Sequence, residues 1–188
     1  MGFQAKALPR WNRKKLKARL CIRGDLQELC VDVFDTYSPV LQWSTIRLLL
    51  ILSVILKLET KQDDYTLAFV QVKAEPGTYI EMPKMFKQDG CILELKRNLY
   101  GQRDVPLKFY KHLRKGFKQR GFHISSFDPC LFLSDTCICL TYVDDCIFMS
   151  RKAEDIDSVI DSLKNDSSDG KEVFLLDVED NYAVFFWN

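Results

Sequence analysis

Hydrophobic and polar residues recur with different periods along this chain, and the changes in period predict a series of short strands and helices. Residues 17–23 alternate charged with apolar side chains, which predicts a strand with one basic face. Apolar residues from Ile46 to Leu58 recur at helical spacing, and Ser44 or Thr45 is expected to cap that helix. Residues 64–70 predict a strand that continues into a short helical or looped piece.

The middle of the chain predicts a small pair of strands followed by a cationic helix. Residues 78–83 and 91–95 pair well as strands, residues 99–101 form a loop, and Pro106 suits the first turn of a helix that ends at Gly121. The outward face of that helix is expected to carry its basic residues: Lys108, Lys111, Arg114, Lys115, Lys118 and Arg120.

The last third of the chain predicts three further strands and one helix. Residues 130–133 and 173–188 are strand-like, and residues 153–165 have apolar side chains at helical spacing. Two apolar runs, 137–141 and 146–149, flank Tyr142-Val143-Asp144-Asp145 and predict a β-hairpin with an acidic tip. This order predicts an α+β domain in which helices pack on one face of a mostly antiparallel sheet.

The acidic tip of the hairpin is the first candidate for chemistry. Asp144 and Asp145 are adjacent carboxylates that repel each other and resist desolvation. A divalent cation is the usual way to compensate such a pair. An ordinary Asp-rich turn explains the same residues equally well, because Asp is a favoured turn residue.

Asp63 and Asp64 form a second acidic pair at the start of the strand predicted for residues 64–70. Metal-assisted phosphoryl transfer needs carboxylates that converge from separate elements, and this pair could supply a third ligand beside the hairpin. A solvated turn after Lys61 and Gln62 is the alternative interpretation.

Composition limits the remaining possibilities. The chain has 188 residues, of which 47% are hydrophobic and 28% charged, and this balance predicts a globular protein with one core and perhaps a smaller lobe. Residues 1–24 contain eight basic side chains and no acid, so this segment can attract phosphates or simply be solvated.

The longest apolar stretch, residues 48–56, is too short to span a bilayer, so no membrane partner is expected.

The cysteines indicate a reducing environment. Seven cysteines are scattered without a CxxC pair, which argues against zinc. Their odd number and the lack of a secretory signal predict an intracellular protein, cytoplasmic or nuclear and not secreted.

An ordered series of motifs strongly resembles the reverse transcriptase of Ty1/copia-type LTR retrotransposons. The motifs span residues 17–164 and occur in the order of that family: 17–20 with Arg23-Gly24, 37–40, 46–50, 64–69, 79–83, 99–101, 128–132 and 142–145. The resemblance implies a polymerase palm-and-fingers fold. It also implies a basic N-terminal segment at residues 1–16 and a fingers-and-palm domain at residues 17–188 that lacks the thumb and RNase H regions.

The resemblance implies a role for each matching residue. Asp64, Asp144 and Asp145 would be catalytic and would bind two Mg²⁺ or Mn²⁺ ions. The nucleotide-binding residues would be Lys17, Arg19, Tyr65, Phe69, Tyr100, Gly101 and Tyr142. Among these, Lys17 and Arg19 would contact the triphosphate, Tyr65 would add its carbonyl to the metal site, and Phe69 would be an aromatic gate against a ribose 2′-hydroxyl. Tyr100 and Gly101 would line the nucleotide pocket, and Tyr142 would pack near the primer end.

The function implied by the resemblance is RNA-directed DNA polymerisation, in which a primer 3′-hydroxyl attacks a dNTP. The partners would be an RNA or DNA primer-template and dNTPs, with other proteins of the same element as further partners. The alternative is a catalytically inactive remnant that binds nucleic acid through its basic N-terminus. Gln102 departs from the family, which commonly has an apolar residue at that position. A cyclase-like palm would use similar paired carboxylates but is not expected to carry the 99–101 loop in this order.

Overall fold

The computed structural model describes residues 2–3 and 18–178, which form ten strands and four α-helices. The predictions for Lys17, for most of the basic segment 1–16 and for residues 179–188 lie outside this part. The strands are β1 (Gly2–Phe3), β2 (Ala18–Arg19), β3 (Glu59–Tyr65), β4 (Tyr79–Glu81), β5 (Ile92–Glu94), β6 (His123–Ile124), β7 (Leu131–Leu133), β8 (Cys137–Tyr142), β9 (Asp145–Ser150) and β10 (Leu176–Val178). The helices are α1 (Trp43–Ile55), α2 (Ala68–Gln71), α3 (Val105–Lys118) and α4 (Ala153–Asn165).

The described residues divide into two compact units. The smaller unit contains residues 2–3, 18–36 and 69–105, and the larger unit contains residues 37–68 and 106–178. The smaller unit has two two-stranded sheets, β1–β2 and β4–β5, and the second of these confirms the predicted pair. The larger unit is built on one six-stranded sheet in the order β10-β3-β9-β8-β7-β6, in which every pairing is antiparallel.

The predicted acidic hairpin is confirmed at the centre of the large sheet. β8 and β9 pair from Cys137 opposite Ser150 to Tyr142 opposite Asp145, so Val143 and Asp144 form a two-residue turn. The helix predicted for residues 153–165 is confirmed as α4. The strand predicted at 130–133 is confirmed as β7, whereas β6 was not predicted, because two residues are too few to show a periodic pattern.

Helices cover both faces of the large sheet, so the prediction that they pack on one face is wrong. Tyr65 and Phe132 share one face, where they meet α3: the Tyr65 ring contacts Phe109 edge-on, and the Phe132 ring stacks on Phe117. On the opposite face, Leu140 and Met149 belong to a buried cluster with Ile46 and Leu49 of α1. Side chains of a strand alternate between faces, so the two apolar sets of the sheet each require a cover.

The first helix begins before the predicted cap. α1 starts at Trp43, its N-cap is Gln42, and the Gln42 side chain makes no capping hydrogen bond, so the assignment of Ser44 or Thr45 as cap is wrong. Asp128 stabilises this end instead: its carboxylate accepts hydrogen bonds from the backbone N–H groups of Gln42, at 2.9 Å, and Cys130, at 2.9 Å. This fully buried carboxylate therefore ties the start of α1 to the segment that enters β7.

Strand β3 differs from its prediction in both position and character. It spans Glu59–Tyr65, a mostly polar segment, whereas an apolar strand was predicted for residues 64–70. Asp63 and Asp64 therefore lie at the end of a strand and not at its start. Hydrogen bonding to β9 on one side and β10 on the other supplies the stability that the polar sequence does not.

One basic residue assigned to the outward face of α3 has a structural role. Arg120 lies beyond the last residue of the helix and is half-buried, and its guanidinium donates hydrogen bonds to the carbonyl oxygens of Ser162, at 2.7 Å, and Asp166, at 3.1 Å. Burial lowers the pKa of Arg120, with the Asp166 carboxylate acting in the opposite direction. Arg120 therefore joins the end of α3 to the end of α4. The other outward residues of α3 include Lys111, Arg114 and Lys118, which are exposed.

Within residues 2–3 and 18–178, no helix combines the length and the apolar character that crossing a membrane requires.

The buried thiols of the large sheet predict a loss of stability at alkaline pH. Burial raises the pKa of Cys139 and of Cys146 well above the ordinary value of 9.0. Above pH 9 these thiols ionise in the unfolded chain and stay protonated in the folded one, so folding must become less favourable as pH rises. Each fully buried thiol should remove roughly 1 kcal/mol of stability per pH unit.

Urea unfolding at pH 7, 9 and 10 measures this effect. The pH dependence of the unfolding free energy should become shallower above pH 9 in Cys139→Ala, whatever the stability of that variant at pH 7. An unchanged slope in the variant would contradict the assignment.

Candidate active site

The end of β3 lies beside the acidic hairpin because of the register between β3 and β9. Asp64 pairs directly with Asp145, and the preceding residue, Asp63, pairs with Cys146. Residues directly opposite in an antiparallel pair point to the same face, about 5 Å apart at their Cβ atoms. The Asp64 and Asp145 side chains are therefore neighbours on the α1 side of the sheet, and both are half-buried.

Asp144 is brought to the same place by the turn. The backbone N–H of Tyr65 donates a 2.7 Å hydrogen bond to the carbonyl oxygen of Asp144, which fixes the turn against the last residue of β3. One carboxylate oxygen of Asp144 is buried. The backbone thus gathers Asp64, Asp144 and Asp145, the three residues that the sequence predicts to be catalytic.

Val143 adopts a strained backbone conformation at the tip of the hairpin. Its φ is 56°, in the left-handed region that β-branched residues avoid. The two-residue hairpin turns that match the twist of their strands need a positive φ at this position, and Gly or Asn is usual there. Val143 does not favour this turn, so the pairing of β8 with β9 on both sides of the turn must maintain its conformation.

The donor set suits a hard divalent cation in kind. Three carboxylates are the ligands that Mg²⁺ and Mn²⁺ prefer. In the described part of the chain, however, no group of three His, Cys, Asp or Glu side chains is arranged closely enough to hold a metal ion. The backbone thus places these residues side by side, while their side chains do not converge on one point.

Tyr65 and Tyr142 lie in different environments near these carboxylates. The Tyr65 ring is fully buried between Phe109, at 5.6 Å, and Phe174, at 5.8 Å, and burial raises its pKa well above 10.0. Its side chain is therefore part of the core, and only its backbone can reach a ligand. Tyr142 is partly exposed and lines a small depression with Leu41, Gln62 and Asp145.

The smaller unit brings together three other predicted residues. The rings of Phe69 and Tyr100 lie 4.9 Å apart, and the Arg19 guanidinium carbon lies 5.0 Å from the centre of the Tyr100 ring. The segment that follows β2 is bonded to Tyr100: the backbone N–H of Ile22 donates a 2.8 Å hydrogen bond to the Tyr100 carbonyl oxygen. The predicted site residues within the described part of the chain thus form two groups, one in each unit.

Two glycines make the approach of these segments in the smaller unit possible. A Cβ atom on Gly101 would lie 2.1 Å from the Ile22 carbonyl oxygen, and one on Gly24 would lie 2.0 Å from the Gly101 carbonyl oxygen. The φ of Gly101 is 93°, which also favours glycine. No other residue fits either position without moving the backbone.

The sequence did not reveal two polar residues that stabilise the backbone around Tyr100 and Gly101. The Gln102 side chain, which the family comparison marks only as a departure, accepts a 2.7 Å hydrogen bond from Leu99 N–H and closes the 99–101 turn. The buried Asn98 side chain donates to the carbonyl oxygens of Val72, at 3.3 Å, and Lys73, at 3.0 Å. The Gln102 bond is local and the Asn98 bonds reach backbone about 25 residues earlier, but all of them join a side chain to the backbone, which hydrophobic periodicity does not reveal.

Comparison with known proteins agrees with this arrangement of motifs. A family model described as reverse transcriptase (RNA-dependent DNA polymerase) matches residues 3–172, so the chain belongs to that family. No solved structure matches the chain.

Its relatives are Pol polyproteins of Ty1/copia-type transposons, which identifies a copia-type reverse transcriptase domain. The chain is 30% identical over 162 residues to the retrovirus-related Pol polyprotein from transposon TNT 1-94 of Nicotiana tabacum, covering 82% of the chain and 12% of the relative. It is 28% identical over 156 residues to the one from transposon RE1 of Arabidopsis thaliana (79% and 11%). It is 30% identical over 164 residues to the transposon Ty1-ER2 Gag-Pol polyprotein of Saccharomyces cerevisiae (82% and 9%). The chain thus spans about a tenth of the length of these relatives.

The strain at Val143 predicts that Val143→Asn stabilises the chain. Asn tolerates the left-handed region that the turn requires, so the unfolding free energy should rise by roughly 1 kcal/mol. Urea denaturation measures the change, with Val40→Asn as a control because Val40 is also exposed and has no positive φ. Equal effects of the two substitutions would show that Val143 is not strained.

Proposed function

We propose that this chain is the catalytic part of an RNA-directed DNA polymerase that joins dNTPs to a primer 3′-hydroxyl on a nucleic-acid template. The observation that carries the proposal is the register that sets Asp64 directly opposite Asp145, with the Asp144 turn bonded to Tyr65. Carboxylates from a strand end and a hairpin turn provide the oxygen donors that a two-metal site requires. Membership of the reverse transcriptase family supports the same reaction.

In this proposal Asp64 and Asp144 hold two Mg²⁺ or Mn²⁺ ions, and Asp145 completes the carboxylate set. When bound, such ions lower the pKa of a hydroxyl nucleophile and neutralise charge on a triphosphate. The protein's own contribution is to fix three negative side chains on one short stretch of sheet, so that their mutual repulsion favours cation binding. The Tyr65 carbonyl is a further candidate ligand.

The residues of the smaller unit supply the nucleotide contacts in this proposal. Arg19 is exposed and is proposed to contact the triphosphate. Lys17, which lies outside the described residues, has the same proposed role. The half-buried ring of Phe69 is the proposed gate against a 2′-hydroxyl, and its contact with Tyr100 holds it in place. Tyr100 and Gly101 form the proposed pocket wall, and Tyr142 packs near the primer end.

Primer extension on an RNA template with a DNA primer, in Mg²⁺ and separately in Mn²⁺, tests the reaction. Asp144→Asn should reduce extension by more than roughly 100-fold, because it removes a carboxylate from the metal site. Asp135→Asn is the matched control: Asp135 is an exposed carboxylate near the opposite end of β8, and its replacement should leave extension unchanged. The absence of extension by a chain shown to be folded would contradict the proposal.

The proposed gate is tested by the choice of sugar. Phe69→Ala should increase incorporation of ribonucleotides relative to deoxyribonucleotides by roughly 10-fold to 100-fold, since the bulk that excludes the 2′-hydroxyl is gone. Single-nucleotide incorporation with matched dNTP and rNTP measures the ratio. Phe86→Ala removes an exposed ring of the same unit and should leave the ratio as it is. A ratio that Phe69→Ala does not change would remove Phe69 from the gate.

A further inference from the structure

Both peptide groups that flank Asp64 are held by β9 and its turn. On the C-terminal side, Tyr65 N–H donates to the Asp144 carbonyl oxygen at 2.7 Å. On the N-terminal side, the Cys146 thiol donates to the Asp63 carbonyl oxygen, with 3.2 Å between sulfur and oxygen. These two bonds hold the backbone before and after the Asp64 Cα, in addition to the pairing of β3 with β9 and β10, and so they help to set the direction in which its side chain leaves the strand.

The thiol is well suited to this contact. Cys146 and Asp63 are directly opposite in the register, and each is at most 1% exposed, so water does not compete for the carbonyl oxygen.

A second buried thiol on the same face of the sheet provides a contrast. Cys139 is also fully buried, but its sulfur lies 3.8 Å from the Leu140 carbonyl oxygen of its own strand. That contact lies within β8, so it does not connect two strands, and it does not involve the backbone next to a carboxylate of the site. The two cysteines therefore match in burial and differ in whether they hold β3.

We propose that Cys146 is a positioning residue for Asp64: its thiol locks the Asp63–Asp64 peptide to β9 and so aims the Asp64 carboxylate at Asp145 and Asp144. The inference rests on the proposed function in one respect only, namely that these carboxylates bind metal. The positioning itself is a property of the chain without metal and can be measured separately.

Amide hydrogen exchange by NMR in the metal-free chain tests the positioning. Cys146→Ala should make the Tyr65 amide exchange roughly fivefold faster than Cys139→Ala does, after both are corrected for global stability, because a bond beside Asp64 is lost. Cys146→Ser keeps a hydrogen donor and should restore slow exchange. Cys146→Val fills the space without a donor, and it gives the same test if the alanine variant does not fold.

Mn²⁺ binding, followed by the EPR signal of the free ion, tests the consequence for the site. Cys146→Ala and Cys146→Val should weaken Mn²⁺ binding by roughly tenfold, as loss of a group that orients a ligand does, while Cys139→Ala should not. Serine should rescue binding.

Equal Tyr65 exchange in Cys146→Ala and Cys139→Ala would overturn the inference, and so would failure of serine to restore it. Unchanged Mn²⁺ affinity in Cys146→Ala, with the wild-type chain binding, would also overturn it and leave the proposed function intact. If the wild-type chain binds no Mn²⁺, the proposed function fails, and the exchange comparison alone then decides whether Cys146 positions Asp64.

Discussion

The pairing of β3 with β9 is the constraint on which the candidate site depends. Asp63 and Asp64 are adjacent carboxylates on one strand, and only the register decides which of them faces the hairpin tip. A register shift of one residue between β3 and β9 would move each side chain to the other face of the sheet, so Asp64 would then point into the core. Tyr65 prevents that slip, because its fully buried ring packs between Phe109 and Phe174 on the opposite face.

The apolar core and the acidic site are therefore two sides of one sheet. On one side, aromatic residues from the sheet meet α3; on the other, α1 covers the sheet up to the depression beside Asp145. The helices on both faces prevent the sheet from shifting, and the hairpin tip can hold a strained residue at Val143 as a result. Packing on both sides keeps the backbone positions of these three carboxylate residues next to one another.

The sequence predicted those parts of the structure in which local pattern and tertiary contacts agree. The hairpin and α4 were found because their apolar periods are regular and their ends carry clear turn signals. The polar strand β3 was misplaced because its stability comes from two neighbouring strands and not from its own composition. The start of α1 was missed because Asp128, distant in sequence, binds it. The catalytic trio was proposed from motif order, whereas the supporting bonds of Gln102 and Cys146 depend on geometry that no pattern carries.

The wide separation of β3 and β9 along the chain has a consequence for how the site forms. Asp144 and Asp145 sit in a hairpin whose strands are joined by two residues, so they can come together from local contacts alone. Asp64 joins them only after a loop of roughly eighty residues closes, and the entropy of closing such a loop delays the contact. The acidic site is thus completed late in folding, when β3 pairs with β9. β3 is too polar to be a stable strand alone. During synthesis, the hairpin half of the site is made after Asp64, so the three carboxylates can assemble only once the chain has been translated through Asp145.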